Sequence, residues 1–130
     1  MKIHLEPKLS SCPDKLRCPV CQQAFDVSRM RSLLLNDRGL IQGDICPECV
    51  RLTSDEIRVM MADHARLMLE QPKLYAYLPY PEEVAMELFE ASLEEVKFPS
   101  PYHWLVKTIE SRFLNPAEDQ TTIQALSQMH

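Results

Sequence analysis

The chain has 130 residues and a formal net charge of −5; 45% of its residues are hydrophobic and 25% are charged. These values are ordinary for a globular protein and predict one compact domain, or a small metal module continuous with a helical part. Only two glycines are present, Gly39 and Gly43, which excludes the glycine-rich phosphate loops of nucleotide-binding proteins. No apolar run approaches the roughly 20 residues that cross a bilayer, and the first residues lack the apolar core of a secretory signal. We therefore expect a cytoplasmic protein with no membrane partner.

The charge is distributed unevenly along the chain. Residues 1–66 contain ten lysines and arginines against nine acidic residues, whereas residues 67–130 contain four against ten. The first half, with a net charge of +1, could tolerate a nearby polyanion, and the second half, with a net charge of −6, should repel one.

Residues 1–15 are predicted to be an N-terminal arm. Ile3 and Leu5 alternate with polar residues, and Pro7 and Pro13 follow them. This short alternation fits either an edge strand or a loosely held segment, and the sequence alone does not choose between them.

Two Cys-x-x-Cys pairs dominate the next segment, a predicted zinc-binding module over residues 16–71. Cys18 and Cys21 form the first pair, Cys46 and Cys49 form the second, and 24 residues separate the pairs. Two residues between cysteines allow a tight turn to aim both sulfurs at one ion about 2.3 Å away, and two such turns complete a tetrahedron. In a reducing cytosol these cysteines are metal ligands rather than disulfides, and the odd total of five argues against a complete disulfide framework. The pattern predicts one structural Zn²⁺.

Cys12 is the cysteine left over from this pattern. Its simplest interpretation is a free thiol in a loop, and the alternatives are a replacement metal ligand or a redox-sensitive thiol.

Between the cysteine pairs, the sequence predicts a β-hairpin. Residues 31–35 and 40–42 are mostly apolar and flank residues 36–39, where Asn and Asp favour a turn and Gly39 supplies a positive φ without steric cost.

After the second pair, Thr53 and Glu56 have the spacing of a capping box and predict a helix that runs to about Gln71, before Pro72. Residues at helical spacing should form its buried stripe: Ile57, Met60, Met61, His64 and Met68. No second histidine or carboxylate motif accompanies His64, so a structural role is favoured over a ligand role.

Residues 72–115 are predicted to be a helical region. Its start is a tyrosine-rich connector, because Pro72, Pro79 and Pro81 prevent a long helix there and Tyr75, Tyr77 and Tyr80 lie between them. Helices are predicted over residues 82–97 and about 102–114. The first should bury one side and expose a row of glutamates on the other. The expected buried residues of the first helix are Ala85, Leu88, Phe89, Ser92 and Val96. Its row of glutamates consists of Glu83, Glu87, Glu90 and Glu94. The expected buried residues of the second helix are Tyr102, Leu105, Val106, Ile109 and Phe113. Residues 116–130 form a polar tail, interpreted as a frayed helix or disorder.

The Cys-Pro-x-Cys motifs at Cys18 and Cys46 resemble the metal-binding turns, or knuckles, of the zinc-ribbon and treble-clef class. Treble clef is the better match, because the second pair is followed closely by the capped helix. The resemblance covers about residues 16–70 and implies a structural ion but no specific function. Such knuckles often have glycine after the second cysteine, where this chain has Gln22 and Val50. This departure disfavours a rubredoxin-like iron site.

No catalytic constellation is apparent in the sequence. It contains no H-E-x-x-H motif and no serine in a G-x-S-x-G elbow. HNH nucleases resemble the chain in having paired cysteines, but no histidine lies between Cys21 and Cys46. A closed Cys₄ site also offers no open coordination position, so we expect a protein that is not an enzyme.

Two classes of partner remain as hypotheses. The first is another protein, bound by a non-enzymatic adaptor or assembly and regulatory factor through Trp104 and Tyr102, since an exposed tryptophan suits an interface hot spot. Burial of Trp104 under the tyrosine-rich connector is an equal alternative. The second is nucleic acid, contacted as in a zinc-ribbon regulator through Arg29, Arg31 and Arg38. The simplest interpretation of these arginines is an ordinary solvated surface. The sequence does not predict the oligomeric state.

Overall fold

The structure is a computed structural model that describes the backbone of residues 1–114 and the side chains of residues 1–109. Antiparallel strands come first and three helices follow, so the predicted α+β class is confirmed. The strands are β1 (Lys2–Pro7), β2 (Lys15–Arg17), β3 (Ala24–Asp26), β4 (Met30–Leu35) and β5 (Ile41–Asp44). The helices are α1 (Ser54–Glu70), α2 (Pro81–Ser92) and α3 (Pro101–Leu114), with 3₁₀ turns at Cys49–Arg51 and Pro72–Tyr75. The predicted polar tail, residues 116–130, lies outside the described residues.

The strands form two antiparallel sheets. A three-stranded sheet has the order β1-β4-β5, and a two-stranded sheet pairs β2 with β3. Strand β1 pairs with β4 from Lys2 opposite Leu35 to Pro7 opposite Met30. The segment that fitted either an edge strand or a loose arm is therefore an edge strand, and it buries Ile3 in the core.

The predicted hairpin is confirmed as β4 and β5. In its turn, the side-chain Oδ1 of Asn36 accepts hydrogen bonds from the backbone N–H groups of Arg38 (3.0 Å) and Leu40 (2.9 Å). Gly39 has a φ of 81°, the left-handed conformation that favours glycine. Local chemistry thus fixes where the chain reverses.

Helix α1 begins as predicted. The Thr53 Oγ1 accepts a hydrogen bond from the Glu56 backbone N–H (3.2 Å), and Glu56 Oε1 accepts one from the Thr53 backbone N–H (3.2 Å), which completes a capping box. The residues of α1 that are fully in the core are Ile57, Met61, Ala65 and Met68. Met60 and His64, also expected in this stripe, are half-buried.

Helix α2 ends at Ser92, five residues earlier than the sequence predicts. The chain then becomes extended beside β1: the Ile3 N–H donates to the Lys97 carbonyl (3.0 Å), and the Lys97 N–H donates to the Met1 carbonyl (2.9 Å). Pairing with the open edge of β1 satisfies backbone groups that a longer helix would have bonded internally. Val96 is buried as expected, but in this extended segment, and the predicted burial of Phe89 is wrong because its side chain is exposed.

Helix α3 presents a different face to the core than its sequence predicts. Tyr102, Leu105 and Ile109 are exposed. Trp104 instead packs against the core cluster, where α3 lies against β1 and β4. The stripe rule assumes that the most apolar face of a helix is buried, but in α3 the face that carries Trp104 lies against the sheet. Phe113, the last member of the predicted stripe, lies outside the described side chains.

One hydrophobic core joins the cysteine module to the helices. It includes Leu5 of β1, Leu34 of β4, Ile57 and Met61 of α1 and Leu88 of α2, together with Cys18, Cys46 and Cys49. None of the helices in the described part of the chain is both long and apolar enough to span a membrane.

Candidate metal centre

The first knuckle is the turn between β2 and β3. The Cys18 backbone N–H donates to the Gln23 carbonyl (3.0 Å), and the Gln22 N–H donates to the Cys18 carbonyl (2.9 Å). The pairing of β2 with β3 holds the two ends of this turn together. Cys18 and Cys21 therefore lie within one tight loop whose backbone is fixed from both sides.

Gln22 adopts a left-handed backbone, with a φ of 61°, at the position where such knuckles often have glycine. This conformation costs a non-glycine residue about 1–2 kcal/mol. The structure offsets that cost with hydrogen bonds to three groups. Gln22 Nε2 donates to the Pro19 carbonyl (3.1 Å), the Gln22 carbonyl accepts from Arg17 Nη1 (2.7 Å), and Gln22 Oε1 accepts from the Tyr77 hydroxyl (3.0 Å).

The second knuckle follows β5 and leads into the 3₁₀ turn Cys49–Arg51. The Val50 N–H donates to the Cys46 carbonyl (3.2 Å), and the Cys49 N–H points at the Cys46 sulfur, 3.4 Å away. Because this turn continues right-handed into 3₁₀ structure, it needs no positive φ after the second cysteine. A β-branched valine is therefore compatible with this position.

A close approach of backbone to proline brings the knuckles together. Gly43, in β5, has a φ of 147°, and a Cβ built there would lie 3.2 Å from the ring of Pro19 in the first knuckle. That distance is tight, so a side chain at this position would push the knuckle away from the strand that carries the second one. Gly43 thus has a positional role that the hairpin pattern does not indicate.

The four predicted ligands converge. The sulfur atoms of Cys18, Cys21, Cys46 and Cys49 all lie within 4.8 Å of one another, and those of Cys21 and Cys46 are 3.9 Å apart. Four sulfurs about 2.3 Å from a tetrahedral ion would be separated by roughly 3.8 Å. The residues present therefore fit one metal ion, and a set of four thiolates is characteristic of structural zinc or an iron–sulfur site.

The pKa shifts of these cysteines indicate that the four thiolates need a cation. Burial raises the pKa of Cys18 to about 11, and burial together with the charge of Cys18 raises that of Cys49. The pKa of Cys46 is lowered, because backbone and side-chain hydrogen bonds led by Cys49 outweigh the effect of its burial. Without a cation, four thiols this close cannot all ionise at neutral pH. A divalent ion supplies the charge that makes all four thiolates stable.

No protein-family model, no curated protein and no solved structure matches this chain. The assignment of the site therefore rests on its own geometry. That geometry supports a metal-binding site of four cysteines, and zinc is the ion that the donor set favours.

All five cysteines of the chain are free thiols, which agrees with the expectation of ligands rather than disulfides. Cys12 is half-buried and is not a member of the four-sulfur cluster. Its interpretation as a replacement ligand finds no support in this arrangement.

The candidate partner-binding residues lie in different settings. Tyr102 is exposed on α3, whereas Trp104 lines a small cavity of about 110 Å³ with Met30 and Ile45. Trp104 thus takes neither predicted position: it is half-buried, and it packs beside the sheet rather than under the tyrosine-rich connector.

The three arginines also differ from one another. Arg31 donates from Nε and Nη2 to the two carboxylate oxygens of Asp44 (2.8 and 2.9 Å). Arg29 and Arg38 are exposed. Arg31, the half-buried arginine of the three, is therefore the one bound by the carboxylate of Asp44.

Sequence reasoning missed the support that surrounds the first knuckle. Arg17 lies 3.8 Å above the ring of Tyr77, and the Tyr77 hydroxyl binds Gln22. The signal for this support in the sequence was Gln22, which stands where such knuckles often have glycine. A glutamine in a left-handed conformation needs compensating contacts.

Proposed function

We propose that this chain is a non-enzymatic adaptor or assembly and regulatory factor, in which a zinc-stabilised module holds a helical protein-binding surface in place. The observation that carries the proposal is the apolar surface that α1 and α2 leave in solvent.

The metal has a scaffolding role in this proposal. Four cysteine sulfurs complete a tetrahedral shell and leave no position for substrate or water. Three of the four cysteines are buried and belong to the core cluster. Zinc bound there would stabilise the core directly, in a reducing location such as the cytoplasm where the thiols stay free.

The order of elements supports a treble-clef type for this module. A knuckle at Cys18 is followed by the β4–β5 hairpin, and the hairpin is followed by the second knuckle and helix α1. The second pair of ligands therefore lies close to the start of a helix, as the resemblance implies. A module of this kind presents α1 as part of a rigid scaffold.

The apolar surface lies on the helices that this scaffold supports. Leu69 of α1 and Met86 and Phe89 of α2 have exposed fractions of 53%, 58% and 51%, and they line one groove. Single exposed apolar residues are ordinary in soluble proteins, but a contiguous cluster at a groove is typical of an interaction site. A protein partner therefore suits this surface better than a small polar ligand.

Nucleic acid binding is the alternative, and the position of Arg31 weakens it. The Arg31 guanidinium is bound by Asp44 and also lies 3.5 Å from Glu6. Contact with a phosphate would have to replace these internal carboxylates. Exposed Arg38 remains a candidate for such contact.

The first experiment is affinity capture from lysate of the source cells with the zinc-loaded protein as bait. We expect specific partner proteins that are recovered by wild type and lost when apolar residues of the helical surface are replaced, as in Met86→Ser/Phe89→Ser. Trp104→Ala tests the tryptophan separately. A matched control, Ile41→Ser, removes an exposed apolar residue from the β4–β5 hairpin. If wild type recovers no more protein than the bare resin, the adaptor proposal is wrong.

Titration with DNA and RNA at low and high salt tests the alternative. Binding through phosphates must weaken as salt rises, and Arg38→Ala should weaken it further. Salt-sensitive binding to nucleic acid with no captured protein would replace the adaptor proposal with the alternative.

A further inference from the structure

Helices α1 and α2 form a defined groove, which we call the α1–α2 groove. Its floor consists of alanines, and larger side chains of both helices form its walls. Its volume is about 420 Å³, enough for two or three large apolar side chains. The residues that line it are Ala62, Asp63, Ala65, Arg66, Leu69, Ala85, Met86 and Phe89.

The spacing of the α2 wall is that of a helix-binding surface. Met86 and Phe89, which line the groove, are three residues apart on α2. Leu93, the residue that follows α2 and lies outside the groove lining, comes four residues later, and all three side chains are exposed. Residues at this spacing follow one side of a helix and form a continuous strip. Such a strip complements the apolar face of a second helix laid along it.

The charged side chains of α2 are all negative. Six glutamates and no lysine or arginine lie between Lys73 and Lys97. Four of these glutamates lie on α2 itself: Glu82, Glu83, Glu87 and Glu90. Helix α2 therefore carries an excess of negative charge beside the strip.

The arginines of α1 pair with carboxylates of α1 and do not neutralise the glutamates of α2. Arg66 Nη1 lies 2.9 Å from Glu70, four residues on, and Arg58 Nη1 lies 3.6 Å from Asp55. Arg58 Nε also donates to the Ser92 carbonyl at the end of α2 (2.9 Å). Since each arginine has a carboxylate of α1 beside it, the excess negative charge of α2 is not balanced across the groove.

We propose that the α1–α2 groove binds a basic amphipathic helix of a partner protein. Apolar residues of that helix would enter the groove against Met86 and Phe89, and its lysines and arginines would face the glutamates of α2. This inference rests on the proposed function, because it names the partner chemistry of the adaptor surface.

The exposed face of α3 provides a comparison. Tyr102, Leu105 and Ile109 are as exposed as the groove residues, but the described part of α3 carries Lys107 and His103 and no acidic residue before position 110. That face matches the groove in apolar character and differs in charge. Substitutions there control for a loss of apolar surface alone.

The probe is a fluorescent synthetic helix of about 14 residues, four turns long, with leucines at the i, i+3, i+4 and i+7 positions and lysines elsewhere. The comparison peptides are the same helix with glutamates in place of the lysines and a scrambled peptide of the same composition. Anisotropy titrations use the full-length, zinc-loaded protein. Each variant must first retain its zinc content and its helical circular dichroism.

We expect the basic amphipathic peptide to bind more tightly than both comparison peptides. Phe89→Asp should lower its affinity at least about tenfold, as hot-spot residues do. Glu83→Lys/Glu90→Lys should lower the affinity and flatten its dependence on salt. Leu105→Asp should leave the affinity within about twofold of wild type, because the control lies outside the groove.

Three results would overturn the inference: no binding of the basic peptide, equal binding of the acidic or scrambled peptide, or an equal loss in Phe89→Asp and Leu105→Asp. These results leave the adaptor proposal standing if partner proteins are still captured from lysate and are lost on substituting another surface. The adaptor proposal fails separately, when wild type captures no partner at all.

Discussion

The Tyr77 hydroxyl donates a 3.0 Å hydrogen bond to Oε1 of Gln22, so the connector between α1 and α2 reaches the first cysteine knuckle. The bond joins residues 55 positions apart in the chain. It couples the helical part of the molecule to a backbone turn in which Gln22 holds a left-handed conformation that is strained for a glutamine.

Removal of the Tyr77 hydroxyl should measure the strength of this coupling. Tyr77→Phe keeps the ring beneath Arg17 and removes the hydrogen bond to Gln22. We expect the free energy of unfolding to fall by about 1 kcal/mol, the net contribution of a typical hydrogen bond. Urea unfolding of the zinc-loaded protein measures this change. Tyr80→Phe is the matched control, since Tyr80 is exposed on the same connector.

A double-mutant cycle tests whether the two residues act together. Gln22→Ala should be less destabilising in the Tyr77→Phe protein than in wild type, because the shared hydrogen bond is already absent. Additive effects of the two substitutions would show that the contact contributes nothing to stability.

Removal of the metal should unfold the cysteine module. Structural zinc supplies on the order of 10–16 kcal/mol in zinc-finger peptides, which equals or exceeds the roughly 5–15 kcal/mol that stabilises a whole domain. We therefore expect Cys46→Ser, or a strong chelator, to abolish the cooperative thermal transition of residues 16–52. Circular dichroism follows the transition, and elemental analysis should give one zinc per chain in wild type.

Cys12→Ser is the control for this experiment, because Cys12 lies outside the sulfur cluster. It should retain one zinc per chain and melt like wild type. An unchanged thermal transition in the metal-free wild-type protein would contradict the structural role of the ion.

The parts of this fold that the sequence predicts are those with fixed local chemistry. Paired cysteines require a set spacing to share an ion, and Thr53 and Glu56 require a set spacing to cap α1. The Asn36–Gly39 turn is likewise determined by its own residues. Each of these features depends on contacts within a few residues or on one strong ligand.

The features that the sequence does not predict depend on distant partners. The end of α2 is determined by β1, whose edge binds Lys97. The buried side of α3 is determined by how Trp104 fits beside Met30. The left-handed Gln22 depends on Tyr77. Helical periodicity carries no information about such pairings, so it assigned the buried faces of α2 and α3 only in part.

The ion pair between Arg31 on β4 and Asp44 on β5 should contribute strongly to the free energy of unfolding. Asp44 has an exposed fraction of only 7%, and both of its oxygens accept from Arg31. The hydrogen bonds of Asp44 raise the pKa of Arg31 further above its usual range. Arg31→Met would leave a buried carboxylate without its partner, so we expect a loss of about 3 kcal/mol in the free energy of unfolding.

Chemical denaturation compares this variant with Arg38→Met, which removes an exposed arginine from the adjoining turn and should change stability by less than about 0.5 kcal/mol. Arg31→Lys should recover only part of the loss, since an ammonium cannot form the two parallel hydrogen bonds. Equal effects of Arg31→Met and Arg38→Met would show that the pair is not stabilising.

His64 of α1 should make stability depend on pH. Its Nδ1 lies 2.7 Å from the hydroxyl of Tyr75, which is buried in the core. Burial lowers the pKa of His64 below its usual value of 6.5 and raises the pKa of Tyr75. Tyr75 therefore keeps its proton, and its hydroxyl shares a hydrogen bond with a neutral His64.

Because the folded-state pKa of His64 is depressed, its contribution to stability is complete above pH 6.5. As the pH falls below that value, the unfolded chain takes up a proton that the folded chain resists, and the free energy of unfolding decreases. We expect wild type to lose more stability than His64→Gln between pH 7.5 and about 5.5, as measured by urea unfolding. His103→Gln, which removes an exposed histidine, should follow wild type. Parallel pH profiles for wild type and His64→Gln would contradict the assignment, because zinc loss and the other titrating groups affect both proteins alike.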